Sequence, residues 1–148
     1  MNDHDIQVFI TGVQRYFESL KRDVMVVIEP PFIKDGEKPF LEYTGIIGIS
    51  GKACGAVCFT ANGVMLESIL SFLKEAPIDR NLICDLVGEI ANTLSGNARE
   101  EFGRDFLISV PIVSTGKNVR FQFPPDSRNY VIPIIWQGEK AYLLVCLT

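Results

Sequence analysis

The sequence predicts an α+β fold, a largely antiparallel sheet with an N-terminal helix and a helix pair. Three observations point to it. Apolar residues recur at helical spacing from Ile6 to Leu20 and again from Ile83 to Ala98. Elsewhere the period falls to two, in short runs parted by Gly, Pro and Asp. One of those runs, Val119, Phe121 and Phe123 alternating with Arg120 and Gln122, has a single wet face, as strands of hairpin-built antiparallel sheets do.

The elements follow in order. Ile6, Phe9, Ile10, Val13, Phe17 and Leu20 line one face of a first helix. Asp3 or Asp5 is its expected cap, and it closes near Lys21-Arg22, where cations suit the C-terminal end of the helix dipole. Residues 24–28 read as a short strand stopped by Pro30-Pro31, and 32–39 as a polar loop. Two strands, 41–49 and 53–60, are joined at Ser50-Gly51-Lys52 as a hairpin. Asn62-Gly63 opens a second helix with Val64, Met65, Ile69, Phe72 and Leu73 on its apolar side, and Pro77 ends that pattern. Asp79 is the expected N-cap of a long third helix, with Ile78 placed to staple against Ile83 and Gly103 as the stop. Strands at 106–110, 119–123, 130–136 and 142–147 complete the chain. The last of these runs is apolar on both faces and is expected to be central or covered.

No internal repeat, linker or low-complexity tract interrupts this series, and 148 residues suit a single domain spanning 1–148. A net charge of −4 argues against a nucleic-acid partner, which calls for a basic stripe. The single histidine, His4, cannot build a His-based triad or a His-rich metal site. No apolar run is long enough to span a bilayer, and the acidic start lacks the character of a secretory signal, so a cytoplasmic protein with no membrane partner is expected. Cys54, Cys58, Cys84 and Cys146 lack the paired spacing of a metal site and read as buried reduced thiols, with Cys54 and Cys58 on one face of a strand.

The third helix carries the chemistry. On a helical wheel Ile83, Leu86, Val87, Ile90, Leu94 and Ala98 fill one broad arc. Asp85, Glu89, Asn92 and Gly96 form a narrow stripe on the opposite side, aligned over more than two turns. A solvated helix face accounts for such a stripe without any ligand. Two features set it apart: its side chains are short acids and an amide rather than long Lys and Glu, and Gly88 and Gly96 lie inside the helix, each costing about 1 kcal/mol relative to alanine.

The segment Asp85-Leu86-Val87-Gly88-Glu89-Ile90-Ala91-Asn92-Thr93-Leu94-Ser95-Gly96-Asn97-Ala98-Arg99 resembles the signature helix of the CheC/CheX/FliY phosphatases of bacterial chemotaxis. That signature is Glu-x-x-Asn followed by Gly-Asn-Ala and a basic residue. Ser109-Val110-Pro111-Ile112-Val113 with Gly116 looks like the family's Ser-x-Pro-x-Val…Gly element, and the hairpin from Gly45 to Phe59 and the apolar C-terminal strands look like CheX. Members of the CheC type often carry two Glu-x-x-Asn helices. Here the first helix has none, which resembles the single-site CheX pattern, and Arg99 stands where a lysine is common.

The resemblance implies a CheC-like fold and a phosphatase that acts on the aspartyl phosphate of a CheY-like response-regulator receiver in two-component signalling. An acyl phosphate is already activated, and the receiver brings its own Mg²⁺ and lysine, so no cofactor or metal is expected on this chain. What remains is positioning a water in line. The resemblance assigns that to Asn92, whose amide both donates and accepts, and docking to Glu89 as partner of the receiver's lysine. Asp85 extends the acidic edge, and Gly88 and Gly96 let the helix enter the receiver's cleft. A homodimer is also implied. A receiver-binding adaptor without catalysis, or a homo-oligomeric interaction module, would use the same fold. Unpaired Asn92 and Glu89 side chains in solvent favour the phosphatase; ones tied down by internal hydrogen bonds favour the alternatives.

Overall fold

The computed structural model describes residues 1–21 and 23–148. Three helices, α1 (Asp3–Leu20), α2 (Gly63–Phe72) and α3 (Arg80–Phe102), lie with an eight-stranded antiparallel sheet of β1 (Val26–Ile28), β2 (Phe32–Ile33), β3 (Tyr43–Gly51), β4 (Gly55–Ala61), β5 (Phe106–Ile108), β6 (Ile112–Thr115), β7 (Arg128–Trp136) and β8 (Glu139–Leu147). The α+β class and the antiparallel sheet are as the sequence predicts. The strand order is β1-β7-β8-β4-β3-β5, with β2 also on β7 and β6 also on β3.

Side-chain alternation explains why the central parts of β4, β7 and β8 are apolar on both faces. Val57, Phe59, Ile132, Ile134, Leu143 and Val145 point to the helix side, where they meet Phe9, Phe17, Leu66, Leu86 and Ile90. Ala56, Cys58, Val131, Leu144 and Cys146 point the other way, under Phe40, Val119, Phe121 and Phe123. The segment 119–123 forms no strand. It crosses the outer face as an irregular strap, held by the Phe40–Phe123 stack and the Phe121–Phe123 edge contact. Its alternation arises from one side resting on a sheet, which needs no ladder of its own.

Other elements shift for physical reasons. Asn2, rather than Asp3 or Asp5, caps α1: its Oδ1 accepts from the Asp5 amide at 3.0 Å, while Asp5 Oδ2 accepts from the Asn2 amide at 3.0 Å, a reciprocal capping box. Lys21 closes α1, and Arg22 lies outside the described residues. Phe32–Ile33, read as loop, pairs with β7; the strand expected over 106–110 ends at Ile108, and after a break at Ser109–Pro111 a further strand the pattern did not indicate, β6, also joins β3. In α2 the buried face is Met65, Leu66, Ile69 and Leu70, with Val64 and Leu73 exposed, and Ile78 is exposed too. Asn62 does not cap α2; its Oδ1 accepts from the Glu42 amide instead.

The fold is internally duplicated, which the sequence conceals. With α2 set aside as the link between them, each half runs helix then four strands, and the sheet order reads the same from either end when the halves are exchanged. β1 and β2 lie on β7 as β5 and β6 lie on β3. The Glu29 amide donates to Pro133 O as the Ser109 amide donates to Gly48 O. Pro31-Phe32-Ile33 therefore answers Pro111-Ile112-Val113. That is too short a likeness to register as a repeat.

The four thiols differ. Cys58 and Cys146 are buried on the outer face of the sheet, Cys84 is half-buried, and Cys54 is exposed in the β3–β4 turn, so the expectation of four buried thiols fails at the ends of elements. Burial, and then the neighbouring Cys146, push the Cys58 thiol well above its usual pKa, against a smaller opposing pull from Lys38; burial likewise pushes Cys146 up to about 11. In the native protein an alkylating reagent at mildly alkaline pH should modify Cys54 rapidly and leave Cys58 and Cys146 unmodified until unfolding, as read by peptide mass mapping. Cys58→Ala should lower stability by about 1 kcal/mol in chemical denaturation.

Helix placement rests on close backbone contact. A Cβ on Gly45 of β3 would lie 2.3 Å from the carbonyl oxygen of Val87 and 3.0 Å from the Cα of Gly88. Gly45→Ala should therefore destabilise by roughly 1–3 kcal/mol, because a backbone must move. A Cβ on Gly88 meets only Val113 Cγ2 at 3.1 Å and Pro111 Cβ at 3.4 Å, both side-chain atoms, so Gly88→Ala should stay within about 1 kcal/mol of the native protein. Paired denaturation curves check both.

Candidate functional site

α3 presents the candidate residues. Asp79 caps it as expected, its Oδ1 accepting from the Leu82 amide at 2.8 Å, and Gly103, at φ +99°, closes it with its amide donating to Arg99 O at 2.8 Å. Ile83, Leu86, Val87, Ile90, Leu94 and Ala98 are all buried, matching the predicted apolar arc. That arc fixes the helix about its axis and turns the opposite stripe outward. Asp85, Glu89 and Asn92 are exposed, and none of their side chains makes a hydrogen bond or salt bridge to another described residue.

The two glycines part company. Gly96 is half-exposed with nothing within 4 Å of where a Cβ would be, so its surface is open to an approaching molecule. Gly88 is buried and faces Pro111 and Val113. Its missing side chain makes room for the chain's own β6 region, which corrects the expectation that Gly88 opens the helix to a partner.

The stripe runs between two flanks. On one side lies α1, which crosses α3 with Phe9 5.9 Å from Phe102 and Gly12 opposite Leu94. Further along α1, Tyr16 comes close enough to Glu89 to feel its charge. Burial and then the Glu89 carboxylate push the Tyr16 hydroxyl above its ordinary pKa. On the other side lie Pro111 and β6, tied to the start of α3 by Arg80 Nη2 donating to Thr115 Oγ1 at 3.3 Å. Neither Tyr16 nor the β6 flank is visible from the periodicity of α3, since each belongs to a different element. Ser109 supports this flank: its Oγ accepts from the Gly48 amide at 2.8 Å and donates to Val110 O at 2.9 Å, holding the chain where β5 gives way to β6. Its place in the Ser-x-Pro motif is thus structural.

The arrangement offers a carboxylate and an amide one turn apart on an open helix surface. Such a pair can orient a water and a cationic group, and the stripe carries no hydroxyl or thiol nucleophile. No helix among the described residues is long and apolar enough to cross a membrane.

Comparisons with known proteins agree with this architecture. No curated protein matches the sequence. Among solved structures, a CheC-like superfamily protein from Shewanella sp. PV-4 is 25% identical with a TM-score of 0.83, covering 100% of this chain and 99% of that one. The chemotaxis protein CheX from Desulfovibrio desulfuricans is 21% identical with a TM-score of 0.83, over 98% and 99% of the two chains. CheX of Borrelia burgdorferi, solved as a complex with CheY, BeF3 and Mg²⁺, is 16% identical with a TM-score of 0.77, over 96% of each chain. The family model described as "Chemotaxis phosphatase CheX" matches residues 43–135, a span that holds the hairpin, α3 and the Ser-x-Pro segment. With the fold and the matched span in agreement, this chain belongs to the CheX family of chemotaxis phosphatases.

Proposed function

We propose that the protein hydrolyses the aspartyl phosphate of a CheY-like receiver domain, with Asn92 positioning the attacking water and Glu89 docking the receiver. The observation that carries this reading is that both side chains stand in solvent, on one side of a rigid helix, with no hydrogen-bond partner among the described residues. The complex formed by the Borrelia relative with CheY, BeF3 and Mg²⁺ supports the choice of partner.

The chemistry divides between two proteins. The receiver supplies Mg²⁺ and a lysine, which stabilise the charge on the transferring phosphoryl group. This chain supplies orientation. Asn92 accepts one hydrogen bond from the water and holds its oxygen toward phosphorus, converting a random collision into a positioned one. Glu89 pairs with the receiver's lysine and sets the docking register, and Asp85 extends the acidic edge toward the same partner. The open backbone at Gly96 lets the receiver's loops come close to the helix.

We also propose that the protein is a homodimer. The strand β7 is covered on both faces by its own chain, so it gives no reason for association. The support lies at the β1–β2 edge, where Val27, Phe32 and Ile33 are exposed beside unpaired strand edges. Sedimentation at tens of micromolar, on the order of a weak-dimer threshold, should give twice the 16.5 kDa of one chain, and Phe32→Asp should shift it toward monomer.

Asn92→Ala should lower kcat for receiver dephosphorylation by roughly a hundredfold or more while leaving receiver affinity near that of the native protein. Its melting curve should move little, since alanine at an exposed helix site changes stability by only about 0.5 kcal/mol. Glu89→Ala should mainly raise KM. Dephosphorylation measured over a range of receiver concentrations separates the two, and native turnover in Asn92→Ala would remove the mechanism.

A further inference from the structure

We infer that Tyr16, on α1, is a positioning residue for Glu89: once the receiver covers the stripe, the Tyr16 hydroxyl donates to the Glu89 carboxylate and holds it in the pose that meets the receiver's lysine. The inference rests on the reading of Glu89 as the docking residue and adds what aims it. α1 and α3 cross in opposite directions. Phe9 meets Phe102, with 5.9 Å between ring centres, and a Cβ on Gly12 would lie 3.9 Å from Leu94 Cδ2, so partners step back along α3 as α1 advances. Tyr16 is one turn past Gly12, and one turn back from Leu94 are Glu89, Ile90 and Ala91. Ile90 and Ala91 are buried, whereas Glu89 is exposed. Tyr16 is half-buried, and a side chain that reaches the surface there emerges beside Glu89. The raised pKa of Tyr16, due first to burial and then to the Glu89 carboxylate, agrees with that placement.

The two side chains are unequally free. The Tyr16 ring rests edge-on against Phe17, with centroids 5.4 Å apart and planes at 83°, and Phe17 is itself fully buried against Phe59 and Trp136. A tyrosine anchored in this way has few rotamers to choose from and presents its hydroxyl at nearly one place. Glu89 has a longer, flexible stem and no cation to hold it, since the only ion pair among the described residues joins Lys140 to Glu29. An exposed carboxylate of that kind samples several rotamers, and a complex must order it at an entropic cost. A fixed donor alongside it reduces that cost.

Closing the interface supplies the driving force. In the free protein Tyr16 bonds a side chain only through its carbonyl, which accepts from Ser19 Oγ at 2.6 Å, and its hydroxyl has no partner among the described residues. A receiver lying over the stripe takes solvent away from that hydroxyl, which is then costly to leave without an acceptor. Burial and the neighbouring charge keep the hydroxyl protonated, so it can donate. A carboxylate only accepts, and its two oxygens have lone pairs enough for the hydroxyl and a lysine together. Hydrogen bonds to an ionised acceptor are also the stronger kind. Tyr16 therefore acts on the docking register, and leaves the water held by Asn92 alone.

The test compares the native protein, Tyr16→Phe, Glu89→Gln and the double variant. Tyr16→Phe keeps the ring and removes only the hydroxyl. Binding is read by anisotropy on a panel of receiver domains loaded with BeF3 and Mg²⁺, and turnover on the same receivers after phosphorylation. Tyr16→Phe should weaken binding and raise KM by roughly threefold to tenfold, with kcat at saturating receiver and the melting curve unchanged. In the Glu89→Gln background the same change should cost much less, because the charged acceptor has gone. Native affinity in Tyr16→Phe, or an equal loss in both backgrounds, would overturn the inference and leave the phosphatase reading standing. A second measurement needs no receiver. In fluorotyrosine-labelled protein the Tyr16 resonance, identified by its loss in Tyr16→Phe, should move in Glu89→Gln while those of Tyr43, Tyr130 and Tyr142 stay in place. A stationary Tyr16 signal would mean that the two groups are not neighbours, and would also overturn the inference. Receiver binding that shows the Tyr16–Glu89 coupling but brings no hydrolysis would remove the phosphatase reading and keep the role of Tyr16. If the native protein binds no receiver, both fall.

Discussion

The contact between Gly45 and the Val87–Gly88 backbone determines how the helix layer meets the sheet. There a strand and a helix approach so closely that even a methyl group would collide with a carbonyl oxygen. Interiors are packed at crystal-like density, so such a contact admits little sliding or rolling of α3. Once Val87 is held against β3, the helical period leaves Asp85, Glu89 and Asn92 nowhere to go but outward. Gly45 also pairs with Val113 across the β3–β6 ladder, so the same strand residue seats α3 and sets its flank.

This arrangement lets the exposed groups stay unpaired without loss of order. An amide in water has no desolvation penalty to offset, and the helix beneath it is fixed by Leu86, Ile90 and Leu94 rather than by anything the amide does. The neighbourhood of Glu89 is less neutral. Its charge is felt by the partly buried Tyr16 across the α1–α3 contact, where the dielectric screens less than in open water. Chemistry and packing are thereby separated on two sides of one helix.

Much of this was legible in the sequence because it is carried by local rules. Asp79 and Gly103 bound α3 by capping chemistry, and a 3.6-residue period divides its residues into buried and exposed sets without reference to any neighbour. The turn at Gln137-Gly138 between β7 and β8 obeys an equally local rule: both residues take positive φ, as tight turns between twisted strands require. The misreadings all concern partners distant in the chain. Gly88 looked like an opening for another molecule because Pro111 and Val113, which fill it, are not visible from the helix pattern. The strap at 119–123 looked like a strand because resting on a sheet imposes the same alternation as belonging to one. Phe32–Ile33 looked like a loop because two residues carry no period at all.

The duplicated halves are not two modules side by side. Each gives its first two strands to the other: β1 and β2 lie on β7, and β5 and β6 lie on β3. The central seam, β4 on β8, joins the last strand of one half to the last strand of the other. Neither half can therefore complete its own sheet. A chain emerging from the ribosome can form α1 and the β3–β4 hairpin early, but β1 and β2 stay without a pairing edge until the last hairpin has been made. Loop closure over such separations must come before the contacts that reward it, so this topology folds late and slowly for its size. The cooperativity that results makes the molecule intolerant of truncation at either end, even though its exposed polar stripe occupies only a few turns of one helix.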